Sequence, residues 1–550
     1  MNVVVLGLDG ATFDLILPGV ERGELSGFAR LMAEGAWGPL RSTVPADSPP
    51  AWTSFATGVN PGRHGVFGFM ARKISSYDYE IGSSHLCRAP SLWEIAGANG
   101  RRVGVINVPL TYPPKSVNGF LVAGMMTPDL RSPFTHPPEL RDELLRAVPS
   151  YSISHGLGRT QGGDPRAILV RDFAATSSAR EQAMRWLAKK YDPDLLICVF
   201  TVLDRLQHFL WADMDAQHPD HDPSSPLEYR EAIPAAYRQL DGVVARTLEA
   251  AGDETLVVVL SDHGFQGVAK TFYVNAWLAE RGYLALTGSA GEPSRWANRA
   301  ARLARRALAF LPGGESWRER LRARRLISRA FVQAIDWSRT RAWFGLDRGL
   351  WINTEGEPHG MVDWNRDYEP LRLQLIAELE ALEDPETGRR VVRKVHRREA
   401  LYRTHDFSGL PDLVIEPMRG RDDPRRRYLL SERLRPHGAT GFVGPSCPIS
   451  GYHTPAGILL LRGRGVPAGA RLTDAAIIDL APTILRAMGL PGGEEMDGMA
   501  LFDFGGDVIL RRPRSPGKPR GAAGSPTEPA MRQNEQRQVE DQLKGLGYLD

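Results

Sequence analysis

Asp9, Ser48, Asp204, His208, Asp262, His263 and His453 are the side chains of this sequence whose types, taken together, could transfer a phosphoryl group. Carboxylates and neutral imidazoles suit borderline divalent cations such as zinc. A hydroxyl held between two such ions would be a strong nucleophile toward phosphorus. Most of the set sits where a strand-like apolar run gives way to a loop or helix start. VVVLGLDG carries Asp9, LLICVFTVLDRLQH carries Asp204 and His208, and TLVVVLSDHG carries Asp262 and His263. Parallel α/β sheets gather binding residues at such carboxyl strand ends. Phosphoester hydrolysis is the reaction this pattern favours.

Spacing adds detail. Asp204 and His208, four apart, share one face of a helix start and can grip one ion. Asp262 and His263 are adjacent and diverge on leaving their strand, so they could serve two metals. His453, in GPSCPISGYHTPAGILLL, is read as preceding a strand. Ser48 opens DSPPAWTSFATG and reads as a helix N-cap, with Pro49 and Pro50 tolerated in the first turn. Such a hydroxyl would face the positive helix end, which favours a nearby phosphate. Thr43, Thr53 and Ser54 are competing hydroxyls, the last two inside the helix. His64, in PGRHG, is expected to make a structural hydrogen bond that stabilises its loop.

The elements that must position these groups follow from apolar patterning. Residues 1–10 read as a buried parallel strand, and strand signals recur at RRVGVINVPL, DLLICVFTVL, TLVVVLSD, DLVIEP and AGILLLRG, with helical patterns between several of them. The expectation is an α/β fold with a mostly parallel sheet covered by helices on both faces. At 550 residues one compact core is too small a container, so insertions or subdomains are expected. A catalytic core spans 1–289 and resumes at 451–510. Residues 290–345 form an arginine-rich helical insertion and 346–450 a cap or second insertion. Residues 511–534, rich in Pro, Gly and Arg, read as a disordered linker, and 535–550 as a short amphipathic helix that docks on its own domain or a neighbour.

Composition bounds the rest. Hydrophobic content of 42%, charged content of 24% and a net charge of +3 are ordinary for a globular protein and call for no nucleic-acid partner. Cys87, Cys198 and Cys447 lack metal-ligand spacing and suit a reducing compartment. With no signal-peptide pattern and no transmembrane run, a cytoplasmic location is expected. Arginines of 290–345 offer at most weak contact with an anionic membrane surface.

The pieces LGLDG, SPPAWTSFATGVNPGRHGVFGF, LDRLQH, SDHG and GYHTPAGILLLRG, in that order, resemble the alkaline phosphatase superfamily, and most closely its type I phosphodiesterase/nucleotide pyrophosphatase branch. WTSFATGVNPGRHGVFGF and DLAPTILRAMGLPGGEEMDG are similar to that branch's predicted bacterial phosphohydrolase/phosphomutase group. The resemblance implies an alkaline-phosphatase-like three-layer α/β/α sandwich. It implies that Asp9, Asp262 and His263 hold one metal and Asp204, His208 and His453 the other, with Ser48 as the nucleophile and a phosphoserine intermediate. It further implies two divalent ions, Zn2+ first and Mn2+ next, acting on a small-molecule phosphate ester. Many members carry an Asn shortly after the HG pair that contacts the phosphate; here that place holds Phe69, and Arg63, Arg72 or Lys73 would have to substitute. A phosphomutase or phosphonate hydrolase on the same site is the alternative outcome. A sulfatase is disfavoured because Ser48-Pro49-Pro50-Ala51-Trp52 lacks the required arginine, and a binding protein with structural metals because every position is chemically competent.

Overall fold

The strand β1 (Val3–Leu8) is apolar or glycine at every position and buried on both faces, as a central parallel strand must be. It pairs in parallel with β6 (Leu195–Phe200) on one side and β7 (Leu256–Leu260) on the other. These strands belong to a computed structural model that describes residues 2–154, 164–287, 327–402, 404, 406–419, 427–434, 441–445, 449–491, 495–504, 531 and 533–545. The full sheet runs β11 (Ala470–Arg471), β2 (Ala36–Arg41), β10 (Ala456–Arg462), β7, β1, β6, β3 (Val103–Ile106), β4 (Gly119–Val122) and β5 (Thr135–His136), with β12 (Ala475–Ala476) beside β2. Only β10 and β5 run against the other strands. The AGILLLRG run is thus a sheet strand, but an antiparallel one.

Two groups of helices flank this sheet. On one side α1 (Ser26–Glu34), α4 (Pro165–Tyr191), α5 (Val202–Met214) and α6 (Leu227–Ala250) pack together; on the other are α2 (Ser48–Thr57), α3 (Leu92–Ala98) and α7 (Leu480–Ala487). The docking of α1 on α6 is fixed by the Asp241 carboxylate, which accepts from the N–H groups of Gly27 and Phe28. On the other face, Gly7 lets α2 approach β1: a Cβ there would lie 2.4 Å from the Trp52 ring and 2.9 Å from Val199. Trp52 therefore packs against the strand that ends in Asp9.

The DLVIEP run departs from the expected alternation. Leu413–Pro417 joins Ala342–Phe344, Leu350–Ile352 and Val392–Arg397 in a separate antiparallel sheet, and Lys270–Tyr273 joins Tyr428–Ser431 and Val443–Pro445 in another. The stretch 346–450 is richer in structure than its turn residues suggested. Of the arginine-rich stretch, residues 288–326 lie outside the described residues, as does most of the stretch read as a linker; helix Ile327–Ala334 is described. The last helix, α8 (Gln533–Gly545), docks on its own chain, burying Val539 and Leu543 and donating from Gln542 to the Pro128 carbonyl at 2.7 Å. Among the described residues no helix is long and apolar enough to cross a membrane.

Candidate active site

Because β7, β1 and β6 are adjacent and parallel, their carboxyl ends deliver Asp262, Asp9 and the start of α5 to one place. The backbone stitches these ends together: Asp9 N–H donates to Phe200 O at 2.9 Å and Asp204 N–H to Asp9 O at 3.1 Å. Gln207 donates to the Gly10 carbonyl at 2.8 Å. Gly10 holds φ +74° and sits too close to Asp204 and Phe265 for a side chain, while its N–H donates to Asp262 Oδ1 at 3.2 Å. His453 arrives from the far end of the chain. It precedes β10, as expected, and itself lies within a short strand, β9 (Gly451–Thr454), opposite Phe265 of β8 (Gly264–Gly267).

The convergence forms two triads of buried ligand atoms. Asp204, His208 and His453 make one, and Asp9, Asp262 and His263 the other; within each, the candidate ligand atoms lie within 4.8 Å of one another. In the first, His453 Nε2 is 3.1 Å from both Asp204 Oδ1 and His208 Nε2. In the second, His263 Nε2 is 3.2 Å from Asp262 Oδ2 and 3.8 Å from Asp9 Oδ1. The triads abut, since the His263 and His453 rings stack with centroids 3.7 Å apart. Ser48 Oγ lies 3.2 Å from His263 Nε2, inside the cluster.

The donor set fits divalent cations. Each imidazole gives its Nδ1–H away: His208 to Gly451 O at 3.0 Å, His263 to Gly264 O at 3.2 Å, and His453 to Ala46 O and Asp47 Oδ1, both at 3.1 Å. That fixes the tautomer and turns every Nε2 lone pair inward. Asp9 Oδ1 and Asp262 Oδ2 are buried yet, among the described residues, accept no hydrogen bond. Such oxygens are costly unless a cation meets them. The titration behaviour carries the same message. Burial and the neighbouring carboxylates push Asp9 well above the usual range, and burial with the Asp204 charge pushes Asp262 up to about 7. Burial opposes charge on His453, but hydrogen bonds to Asp204 and Asp47 outweigh it and raise the imidazole to about 9. Burial would also raise Asp204, but the His208 charge and hydrogen bonds from His208 and His453 hold it well below its ordinary value.

Two expectations about Ser48 change. Ser48 is the first residue of α2, and the N-cap is Asp47, whose side chain makes no capping bond to the helix. The Asp47 carboxylate instead orients His453 and accepts from Tyr452 OH at 3.2 Å. With Pro49 and Pro50 following, Ser48 is the one residue of the first three in α2 with an N–H, so the helix end contributes its dipole more than its donors. Of the competing hydroxyls, Thr53 bonds back to Pro49 O at 2.7 Å, and Ser54 pairs with His64 Nε2 at 3.0 Å. His64 is buried and accepts from Val66 N–H at 3.1 Å, the structural bond expected of it.

The three cations expected to contact substrate are not drawn into the cluster. Arg63 pairs with Asp497 at 3.1 Å and with the Glu495 carbonyl. Arg72 is buried against Glu357 and stacks 4.4 Å from the Trp351 ring. Lys73 lines a different cleft with Arg88 and His85. Sequence reading also passed over groups that serve the site. Asp47 sets His453, Trp52 Nε1 donates to Asp9 Oδ2 at 3.2 Å, and Arg205 lies 3.6 Å from Asp204. Asp47 and Trp52 flank Ser48 at −1 and +4, which was the one available signal. Replacing Asp47 with Asn is expected to weaken metal binding about 10- to 100-fold, as loss of a ligand's supporting carboxylate does. Titration of metal-free protein with Zn2+ or Mn2+ measures it.

Residues 3–441 match the family described as type I phosphodiesterase / nucleotide pyrophosphatase, a span that stops short of His453. The chain belongs to that family, a branch of the alkaline phosphatase superfamily, and is a phosphoester hydrolase of a metal-dependent kind. Among solved structures it is similar to phosphonoacetate hydrolase from Sinorhizobium meliloti 1021. The complex with phosphonoformate shows 14% identity and a TM-score of 0.47, covering 88% of this chain and 94% of that one. The complex with phosphonoacetate shows 15% identity at the same TM-score and coverage. No curated protein sequence matches the chain.

Proposed function

We propose that this protein hydrolyses small phosphate esters at a two-ion site through a phosphoserine intermediate on Ser48. The observation that carries the reading is the Ser48 hydroxyl 3.2 Å from His263 Nε2, beside one triad of inward-facing ligand atoms that abuts the other. Asp9, Asp262 and His263 would hold one ion beside Ser48, and Asp204, His208 and His453 the other. Zinc suits this mixture of imidazoles and carboxylates best, with manganese next. When bound, the two ions supply positive charge for the phosphoryl oxygens and lower the pKa of the attacking hydroxyl.

The chain's own groups do the positioning. Ser48 is fixed at the head of α2, whose dipole favours the negative charge that gathers there. Its Oγ forms a bond to phosphorus as the bond to the leaving alcohol breaks, and water then cleaves the phosphoseryl ester. Trp52 and the Gly10 N–H hold Asp9 and Asp262 in place, while Asp47 and the Ala46 carbonyl hold His453. Phe265, fully buried, packs its ring 4.9 Å from His208 and 5.4 Å from His453 and keeps that side dry. A panel of aryl monoesters, aryl diesters, nucleotides and phosphonates on metal-replete protein tests the reading. Turnover of at least one phosphate ester is expected; tightly bound ions without turnover of any would contradict it.

A further inference from the structure

A narrow cleft opens beside the cluster. Asp47 and His453 line it, whereas Ser48, Asp9 and Asp262 do not. Arg348, Arg419 and Arg427 converge on its walls from the 346–450 stretch, the last two facing each other across an antiparallel bridge. Its two carboxylates are already committed. Asp47 is held by His453 and Tyr452, and Glu416 accepts from Arg393 at 2.5 Å and from His396 Nε2 at 3.0 Å. Arg427 donates to Gly267 O at 3.2 Å and Arg348 to Leu430 O at 2.5 Å. Arg419 differs: its Nη1 is buried and, among the described residues, donates to nothing, although the Glu416 charge lies near it. A buried guanidinium N–H without an acceptor is unfavourable, and a guanidinium fork matches carboxylates and phosphates.

Direction follows from in-line attack. Ser48 approaches phosphorus from the α2 side, so the leaving group departs toward the triad of Asp204, His208 and His453, of which His453 lines this cleft. The geometry points to a substrate carrying a second anionic group, a carboxylate or a further phosphate, on its leaving group, received by Arg419 with Arg348 and Arg427 beside it. This rests on the reading of Ser48 and the two triads given above.

The test is calorimetric binding to metal-replete Ser48→Ala protein, which keeps esters intact. Three probes on the same two-carbon backbone are compared: ethyl phosphate, 2-phosphoglycolate and ethylene glycol bisphosphate. At least one of the two-anion probes is expected to bind about tenfold or more tighter than ethyl phosphate. Whichever does so identifies the second anion as carboxylate or phosphate. Adding Arg419→Gln should collapse that preference to about twofold or less, while Arg419→Lys should keep part of it. Equal binding of all three probes, or a preference that survives Arg419→Gln, would overturn the proposal. Should the glutamine variant fail to fold, the preference of the Arg419 protein and its change in the lysine variant still decide. The Ser48 reading fails by a separate result: wild-type protein that turns over no ester, or undiminished turnover by Ser48→Ala.

Discussion

Ser48→Ala is expected to lower phosphate-ester turnover by about 10^4-fold or more while leaving metal content unchanged. The size follows from the geometry. Among the hydroxyls of this segment, Ser48 Oγ alone points at an inward-facing imidazole of the cluster, whereas Thr53 and Ser54 are tied to Pro49 and His64. Metal content should survive because the six ligand atoms come from other residues. Ser48 contributes no charge to hold them apart or together. Steady-state kinetics with an aryl ester, alongside elemental analysis of the same preparation, separates loss of the nucleophile from loss of the ions. Activity retained in this variant would move the nucleophile elsewhere.

Removing the ions is expected to abolish turnover, and the affinity for re-added metal should rise steeply with pH. A cation at either triad must displace protons that the metal-free groups hold. His453 lies at about 9 and Asp262 at about 7, so both carry protons at pH 6. Between pH 6 and pH 8 the Asp9, Asp262 and His263 triad should gain at least about tenfold in affinity, since Asp9 is raised as well, and the Asp204, His208 and His453 triad about a hundredfold. Stability follows a definite sign. Asp262 is raised above the ordinary carboxylate value of about 3.9, so it stabilises the metal-free fold at low pH, and that contribution is lost as pH climbs through about 7. Bound ions reverse the loss. The gap in melting temperature between metal-loaded and chelated protein should therefore widen from pH 6 to pH 8, by a few degrees. A gap that narrows over that range would contradict the assignment of these carboxylates as ligands.

Much of the site was legible because its residues end apolar runs. A strand buried on both faces must be apolar throughout, so the first charged residue after it marks the sheet's carboxyl edge; Asp9 and Asp262 announce themselves that way. Asp204 and His208 add helical spacing. Direction was not legible in the same runs. AGILLLRG is as continuous as VVVLGL, because burial on two faces sets the pattern and strand polarity does not, and β10 turned out antiparallel. DLVIEP likewise reads as a strand without saying which sheet receives it. Asp47 was passed over because its role lies in a bond to His453, 406 residues away in sequence. Next to a candidate nucleophile it looks like a turn residue. The Arg348, Arg419 and Arg427 wall was hidden for another reason: arginines are spread through the whole chain, and only tertiary packing of the 346–450 stretch selects these three. Arg63, Arg72 and Lys73 were put forward as substitutes for the Asn missing at the Phe69 position, but the first two fold into ion pairs with Asp497 and Glu357.

Crystals grown with Zn2+ or Mn2+ and measured at the metal's absorption edge test the central claim most directly. The account predicts two anomalous peaks about 4 Å apart, one bounded by Asp204, His208 and His453 and the other by Asp9, Asp262 and His263, with Ser48 Oγ in bonding reach of the second. A single peak, or two with the Ser48 hydroxyl turned away from both, would contradict it.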